Sequence, residues 1–160
     1  MVELFEYGTD NPILTKDQIV NFVAEQDSFF KPPLKSRGIV IADYVDKILR
    51  QGHIICAVNE ENHLIGMIMF YCNDMEIRTA FGTWLAVAEN ARAQGLGLLL
   101  VSEMLEFCKN HGMDYYETHT WKTNKTMIAV YQMGFGANIF KEEEELGRVT
   151  VHLRIDLKNQ

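Results

Sequence analysis

The residues from Arg92 to Gly97 read Arg-Ala-Gln-Gly-Leu-Gly and join an apolar, strand-like run to an apolar, helix-like one. A glycine turn that leads from a strand into a helix N-terminus leaves backbone amides without intrahelical acceptors, and the helix dipole adds partial positive charge at the same end. Anions bind at such places. Gly95 and Gly97 let a phosphate come close to the main chain, Ala93, Gln94 and Leu96 complete the loop, and Arg92 brings a forked, permanent cation ahead of the turn. A local trap is what this chain requires, because its 22 acidic and 15 basic residues give a formal net charge of -7. Such a surface repels phosphate backbones and gives no general reason to bind nucleic acid. The loop is not a Walker loop, since no Gly-Lys-Ser or Gly-Lys-Thr follows. It also fits the Rossmann fingerprint poorly, because Leu100 stands where the third glycine would fall.

Other residues of chemical interest lie around it. Tyr115, Glu117, His119 and Trp121 alternate along one strand and therefore share a face. Phe29, Phe30, Pro32, Pro33 and Arg37 crowd a segment that its prolines keep out of regular structure. Glu142 to Glu145 read as a solvated turn. Cys56, Cys72 and Cys108 are widely spaced in apolar stretches, which points to buried, reduced thiols and to no metal site. No apolar run is long enough to span a bilayer and the N-terminus is acidic, so a cytoplasmic protein without membrane partners is expected.

The elements that must position these residues follow from periodicity. The chain of 160 residues supports one domain over 1-160. VELFEY alternates as a half-buried strand, followed by turn material from Gly8 to Pro12. Thr15 and Gln18 form a capping-box pattern ahead of Ile19, Phe22 and Val23, and Ile41, Tyr44, Val45 and Ile48 mark a second helix that stops at Gly52. His53 to Val58 and Leu64 to Cys72 predict a hairpin, and a third strand of roughly Glu76 to Ala88 runs into the glycine loop. Beyond the loop, Val101, Met104, Leu105 and Cys108 lie on one helical face, with Gly112 as the stop. Tyr115 to Trp121 is a strand, and Thr123 or Asn124 caps a fourth helix that ends at Gly134. Phe135 to Phe140 and Arg148 to Leu157 suggest two final strands, with Lys141 to Gly147 as their turn. The result is a mixed α/β fold of about seven strands and four helices in the order β-α-α-β-β-β-α-β-α-β-β.

The stretch LAVAENARAQGLGLLLVSEML resembles the acetyl-coenzyme A motif of the GNAT superfamily of N-acetyltransferases. A second block agrees: in NKTMIAVYQMGF, Asn124 is followed seven residues later by Tyr131 and then by Gly134 and Phe135, as in a later motif of that superfamily. Ala129 stands two positions before the tyrosine instead of the commoner four. The resemblance covers nearly the whole chain, from Val2 to Leu157, and implies a GNAT-like sheet with a splayed strand pair. It implies that pantetheine lies along Leu85, Ala86 and Val87, that Arg92 to Gly97 hold the pyrophosphate, and that Asn124 both contacts the coenzyme and caps its helix. It places Tyr131 beside the thiol, where a phenol can protonate the leaving thiolate. An amine with a pKa near that of lysine, roughly 10.4, also needs a base or a water chain. Glu117 and His119 are the candidates, with Asp74, Glu76, Glu89 or ordered water as alternatives. The region of Phe29, Phe30 and Arg37 is expected to line the acceptor. The activity implied is direct acetyl transfer to a primary amine of a small molecule, an amino sugar or a protein, without a metal or a covalent enzyme intermediate. A non-catalytic acyl-coenzyme A sensor and a nucleotide-binding domain of another fold are the competing readings, and a homodimer paired through sheet edges is a further expectation.

Overall fold

The computed structural model describes residues 2–8, 14–30 and 33–159. The predicted turn after the first strand, beyond Gly8, and part of the proline segment, including Pro32, lie outside them. Strand β1 (Glu3–Glu6) leads to α1 (Lys16–Gln26), α2 (Ile41–Gln51), β2 (His53–Val58), β3 (Leu64–Tyr71) and β4 (Thr79–Val87). Helix α3 (Leu96–Asn110), β5 (Tyr115–Trp121), α4 (Lys125–Phe135), β6 (Asn138–Glu145) and β7 (Arg148–Asp156) complete the chain. The expected order of strands and helices is therefore present. The capping box of α1 forms with both of its bonds, Gln18 N to Thr15 Oγ1 at 3.3 Å and Thr15 N to Gln18 Oε1 at 2.7 Å.

The seven strands make one sheet in the order β1-β2-β3-β4-β5-β7-β6. Its neighbours are antiparallel except β4 and β5, which are parallel. Each face carries its own core. On one, Leu100, Val101 and Met104 of α3 and Ile128 and Tyr131 of α4 pack on Ile55, Ile68, Phe70, Tyr116 and Leu153. On the other, Ile19 and Val23 of α1 and Val45 and Ile48 of α2 pack on Ile54, Met67, Met69 and Trp84. The two helix pairs thus sit on opposite faces, and each presents the apolar stripe its period predicted.

Three boundaries differ from the sequence expectation. Residues 76–78 are turn, with Arg78 at φ 49°, so β4 starts at Thr79. Helix α4 runs through Gly134 and ends at Phe135 on a left-handed Gly136; a Cβ at Gly134 would stand 3.0 Å from Leu98, so that glycine permits close packing of α4 on α3. The predicted turn from Lys141 to Gly147 is mostly strand: β6 continues to Glu145, and only Leu146 (φ 52°) and Gly147 (φ 78°) turn. Positive φ at both central residues suits a two-residue hairpin. At an exposed sheet edge Glu142, Glu144 and Glu145 stay solvated and the half-buried Glu143 is ion-paired, so the acidic run does not oppose strand formation.

Candidate active site

Beyond Val87, Ala88 N still bonds Ile65 O on β3 at 2.7 Å, and a 3-10 turn over Glu89–Gln94 then carries the chain to Gly95. Gly95 adopts φ 71° and ψ 15°, a left-handed conformation that favours glycine, and α3 starts at the next residue. Neither a side-chain cap nor an acidic residue occupies its first turn. No atom lies within 4 Å of where a Cβ would stand on Gly95 or Gly97. The helix start is held against the sheet because Gly66 of β3 lets Leu96 and Leu100 approach, each leaving 3.0 Å to a Cβ built there. Room beside the two glycines, together with first-turn amides that have no intrahelical acceptor, fits an anionic group.

Arg92 is placed differently from a cation arched over the glycines. Its Nε donates to Val87 O at 3.0 Å, its Nη2 donates to Gln26 Oε1 at 3.3 Å, and its guanidinium lies 4.4 Å from the Phe29 ring centroid. A planar guanidinium satisfies carbonyl oxygens and a ring face at once. The side chain thereby ties the glycine loop to the end of β4 and the end of α1. Leu85 and Val87 pack with the α3 side of the sheet, and Ala86 with the α1 side.

The loop after α1 is anchored by Asp27, which is buried and accepts Leu34 N at 2.7 Å and Lys35 N at 3.2 Å. Phe30 stacks on Trp84 of β4 at 5.1 Å, and Phe22 meets the same indole edge-on at 6.1 Å. Trp84 Nε1 is the one buried side-chain polar atom without a hydrogen bond among the described residues. Arg37, exposed in a 3-10 turn over Lys35–Arg37, follows the anchored segment. Tyr44 Oη, 2.7 Å from Thr83 Oγ1, fastens α2 to β4.

Strands β4 and β5 pair only from Thr79 with Tyr115 to Phe81 with Glu117. Past that point β4 stays with β3 as far as Val87 and β5 stays with β7 as far as Trp121, so the sheet opens between them. At the apex, Thr118 Oγ1 donates to Gly82 O at 3.3 Å, and Tyr116 lies so close that a Cβ on Gly82 would fall 1.7 Å from its Oη. Tyr116 Oη is 3.1 Å from Tyr131 Oη, which α4 delivers from the α3 side. Burial first, then the neighbouring Tyr131, raises Tyr116 well above the ordinary phenol value. Burial pushes Tyr131 to about 12, opposed by the hydrogen bond from Tyr116. With Tyr116 donating, Tyr131 keeps a proton of its own to give. Asn124 caps α4, accepting Met127 N at 3.3 Å and donating to Thr120 Oγ1 at 3.0 Å.

On the opposite face, the two candidate bases have different fates. Glu117 Oε2 accepts Arg154 Nε at 2.8 Å and lies 2.6 Å from Nη2, an ion pair that ties this side chain to β7. His119 is exposed, and among the described residues no hydrogen bond holds its ring. The protein crowding around it, then the neighbouring His152 and the Arg37 cation, lowers its pKa below the ordinary 6.5, against the opposing pull of Glu145 and Glu143. A neutral imidazole with a free ring nitrogen near neutral pH can accept a proton. Asp74 accepts Ile77 N in a turn at 3.2 Å, while Glu76 and Glu89 lie outside the stretch where β4 and β5 part. Sequence reading missed Tyr116, Gly82, Trp84 and His152. Only the period of β5 carried a signal for Tyr116, whose even position sends it to the face opposite His119.

The description of the Acetyltransferase (GNAT) family matches residues 20–135 of the chain. Among solved structures, a protein from Desulfovibrio desulfuricans assigned to the GNAT family is similar at a TM-score of 0.78 and 18% identity, over 98% of this chain and 99% of that one. The ribosomal-protein-S18-alanine N-acetyltransferase from Escherichia coli has a TM-score of 0.76 at 13% identity, over 98% of this chain and 94% of that one. A GNAT family acetyltransferase from Elizabethkingia anophelis with acetyl-CoA bound has a TM-score of 0.67 at 18% identity, over 97% of both chains. No curated protein matches the sequence.

Proposed function

This chain belongs to the GNAT family of acetyltransferases, and we propose that it transfers an acetyl group from acetyl-coenzyme A directly to a primary amine. The observation that carries the reading is the opening between β4 and β5, with the uncapped start of α3 beside it, a protonated Tyr131 on one face of the sheet and, on the other, a His119 that no hydrogen bond holds among the described residues. Acetyl-coenzyme A, when bound, supplies the activated acyl group. The first-turn amides from Gly95 to Leu98 would hold its pyrophosphate, with β4 from Leu85 to Val87 alongside the rest. The groove lined by Leu98, Lys125, Thr126, Val130 and Met133 extends from the same helix end and offers an apolar wall and a cation to the nucleotide.

Each side chain then has a definite task. His119 takes a proton from the attacking amine on the α1 side. Tyr131 gives its proton to the departing thiolate on the α3 side, and Tyr116 orients that phenol. Donor and acceptor approach from opposite faces, so no covalent enzyme intermediate is required. Phe29, Phe30 and Arg37 line the acceptor side, with Trp84 buried beneath Phe30.

Thiol release from acetyl-coenzyme A over a panel of small amines, amino sugars and peptides tests this. Positioned acid–base groups commonly contribute about 10² to 10⁴ in rate. Tyr131→Phe and His119→Gln should each lower kcat within that range while coenzyme A still binds. Coenzyme A binding with no turnover on any amine would instead indicate a sensor, and ATP binding without coenzyme A binding would reject the reading altogether.

A further inference from the structure

His119 and His152 are cross-strand partners on β5 and β7, their ring centroids 5.4 Å apart and inclined by 34°. On the far side of His152, its Nε2 lies 3.2 Å from Glu143 Oε1 on β6, and Lys141 Nζ lies 2.6 Å from the same oxygen. Phe140 closes the His152 ring from one side, with centroids 6.0 Å apart. The row leads from the opening between β4 and β5 to the outer edge of the sheet, and the established chemistry of the family does not require it.

We propose that His119 and His152 work as a pair, in which the proton that His119 takes from the acceptor amine passes to His152 and is held there by Glu143. The inference rests on the reading of His119 as the base. In the step, an N–H bond of the amine breaks as a ring N–H forms on His119. That proton then moves to His152, and His119 returns to the neutral form, so one proton is displaced outward and nothing is oxidised or reduced. No hydrogen bond joins the two rings among the described residues, so the transfer runs through one water placed between them, which such a ring separation admits.

The direction of transfer follows from the surroundings. His119 has no hydrogen-bond partner among the described residues and the Arg37 cation is near it, whereas His152 has the Glu143 carboxylate. Lys141 first, and His152 after it, keep Glu143 below the usual carboxylate range. The groups that face the pair are thus Arg37 from the loop before α2 and Lys141, Glu143 and Glu145 from β6. Two imidazoles this close do not both carry charge cheaply, so the proton settles where the anion is. Once an acceptor covers the exposed side of His119, the route through His152 leads to solvent beneath it.

The pH profile of kcat/KM and the solvent isotope effect on kcat read this out in wild type, His152→Gln and Glu143→Gln, with Glu144→Gln as the charge-matched control. The relay needs a neutral His152, so in wild type the acid limb follows the first protonation of the pair; in His152→Gln it follows His119 alone, beside the Arg37 cation, and should move down by about half a pH unit or more. The variant's kcat should fall about tenfold or more, with a larger solvent isotope effect, because the proton loses its acceptor. Glu143→Gln should lower kcat in the same sense, and Glu144→Gln should leave both readouts unchanged. If His119→Gln is strongly impaired while His152→Gln keeps the wild-type kcat and acid limb, the relay is wrong and the base stands. If His119→Gln is itself fully active, the base reading fails and takes the relay with it.

Discussion

A methyl group at position 82 tests how the opening in the sheet is built. Gly82 is the first β4 residue beyond the paired stretch, and its φ is not positive, so alanine meets no backbone strain there. What it meets is Tyr116, with Oη 1.7 Å, Cζ 2.7 Å and Cε1 3.0 Å from the new carbon. To reach even the 3.0 Å floor of real Cβ contacts, the hydroxyl must retreat by about 1.3 Å. The Tyr116 ring is fully buried, so this motion disturbs the core and breaks its 3.1 Å bond to Tyr131. Overpacking of this kind costs about 1–3 kcal/mol, and the lost hydrogen bond adds about 1 kcal/mol. For a chain of this size the sum lowers Tm by roughly 5–15 °C. In thiol-release assays at saturating substrates kcat should fall at least about tenfold, since Tyr131 loses the partner that orients it. Calorimetric binding of coenzyme A should change little, because the glycine loop is untouched. In a Tyr116→Phe background the worst contact is gone, leaving Cζ at 2.7 Å, so the same Gly82→Ala change should cost less. Wild-type Tm and kcat in Gly82→Ala, or strictly additive costs in the double variant, would refute the placement of the tyrosine pair.

Position 97 should separate stability from affinity. A Cβ there meets nothing within 4 Å and the residue is helical, so Gly97→Ala should raise stability by about 0.5–1 kcal/mol in thermal unfolding while weakening coenzyme A binding in calorimetry. Gly97→Glu should abolish that binding, and retention of wild-type affinity in it would contradict the phosphate cradle. Arg92→Ala removes two hydrogen bonds and the contact with Phe29, for a stability loss of about 1–3 kcal/mol. Steady-state kinetics should show a larger rise in KM for the amine than for acetyl-coenzyme A, since Phe29 loses its support. The opposite split would mean that Arg92 swings out to the phosphates in the working enzyme. Arg92→Lys should restore little, because an ammonium cannot serve both carbonyl oxygens and the ring.

Those features carried by neighbouring residues were legible in the sequence. The capping box at Thr15, the helical faces, the glycine turn and the period of β5 each lie within a few residues, and each formed as expected. The acidic run from Glu142 to Glu145 misled because composition reports solvation, and an exposed edge strand is as well solvated as a turn. The two candidate bases could not be told apart for a different reason. Glu117 and His119 are equivalent by spacing, and what separates them comes from β7, where the register puts Arg154 opposite the first and His152 opposite the second. The ion pair with Arg154 holds the carboxylate of the first through Oε2, and no hydrogen bond holds the imidazole of the second among the described residues. Arg37 reaches the same neighbourhood only because Asp27 captures the amides of Leu34 and Lys35 and folds that loop back. Strand register and loop anchoring are long-range facts, so a single sequence leaves Glu117 and His119 level, with Asp74, Glu76, Glu89 and ordered water beside them, and the partners across the sheet are what distinguish the two β5 residues.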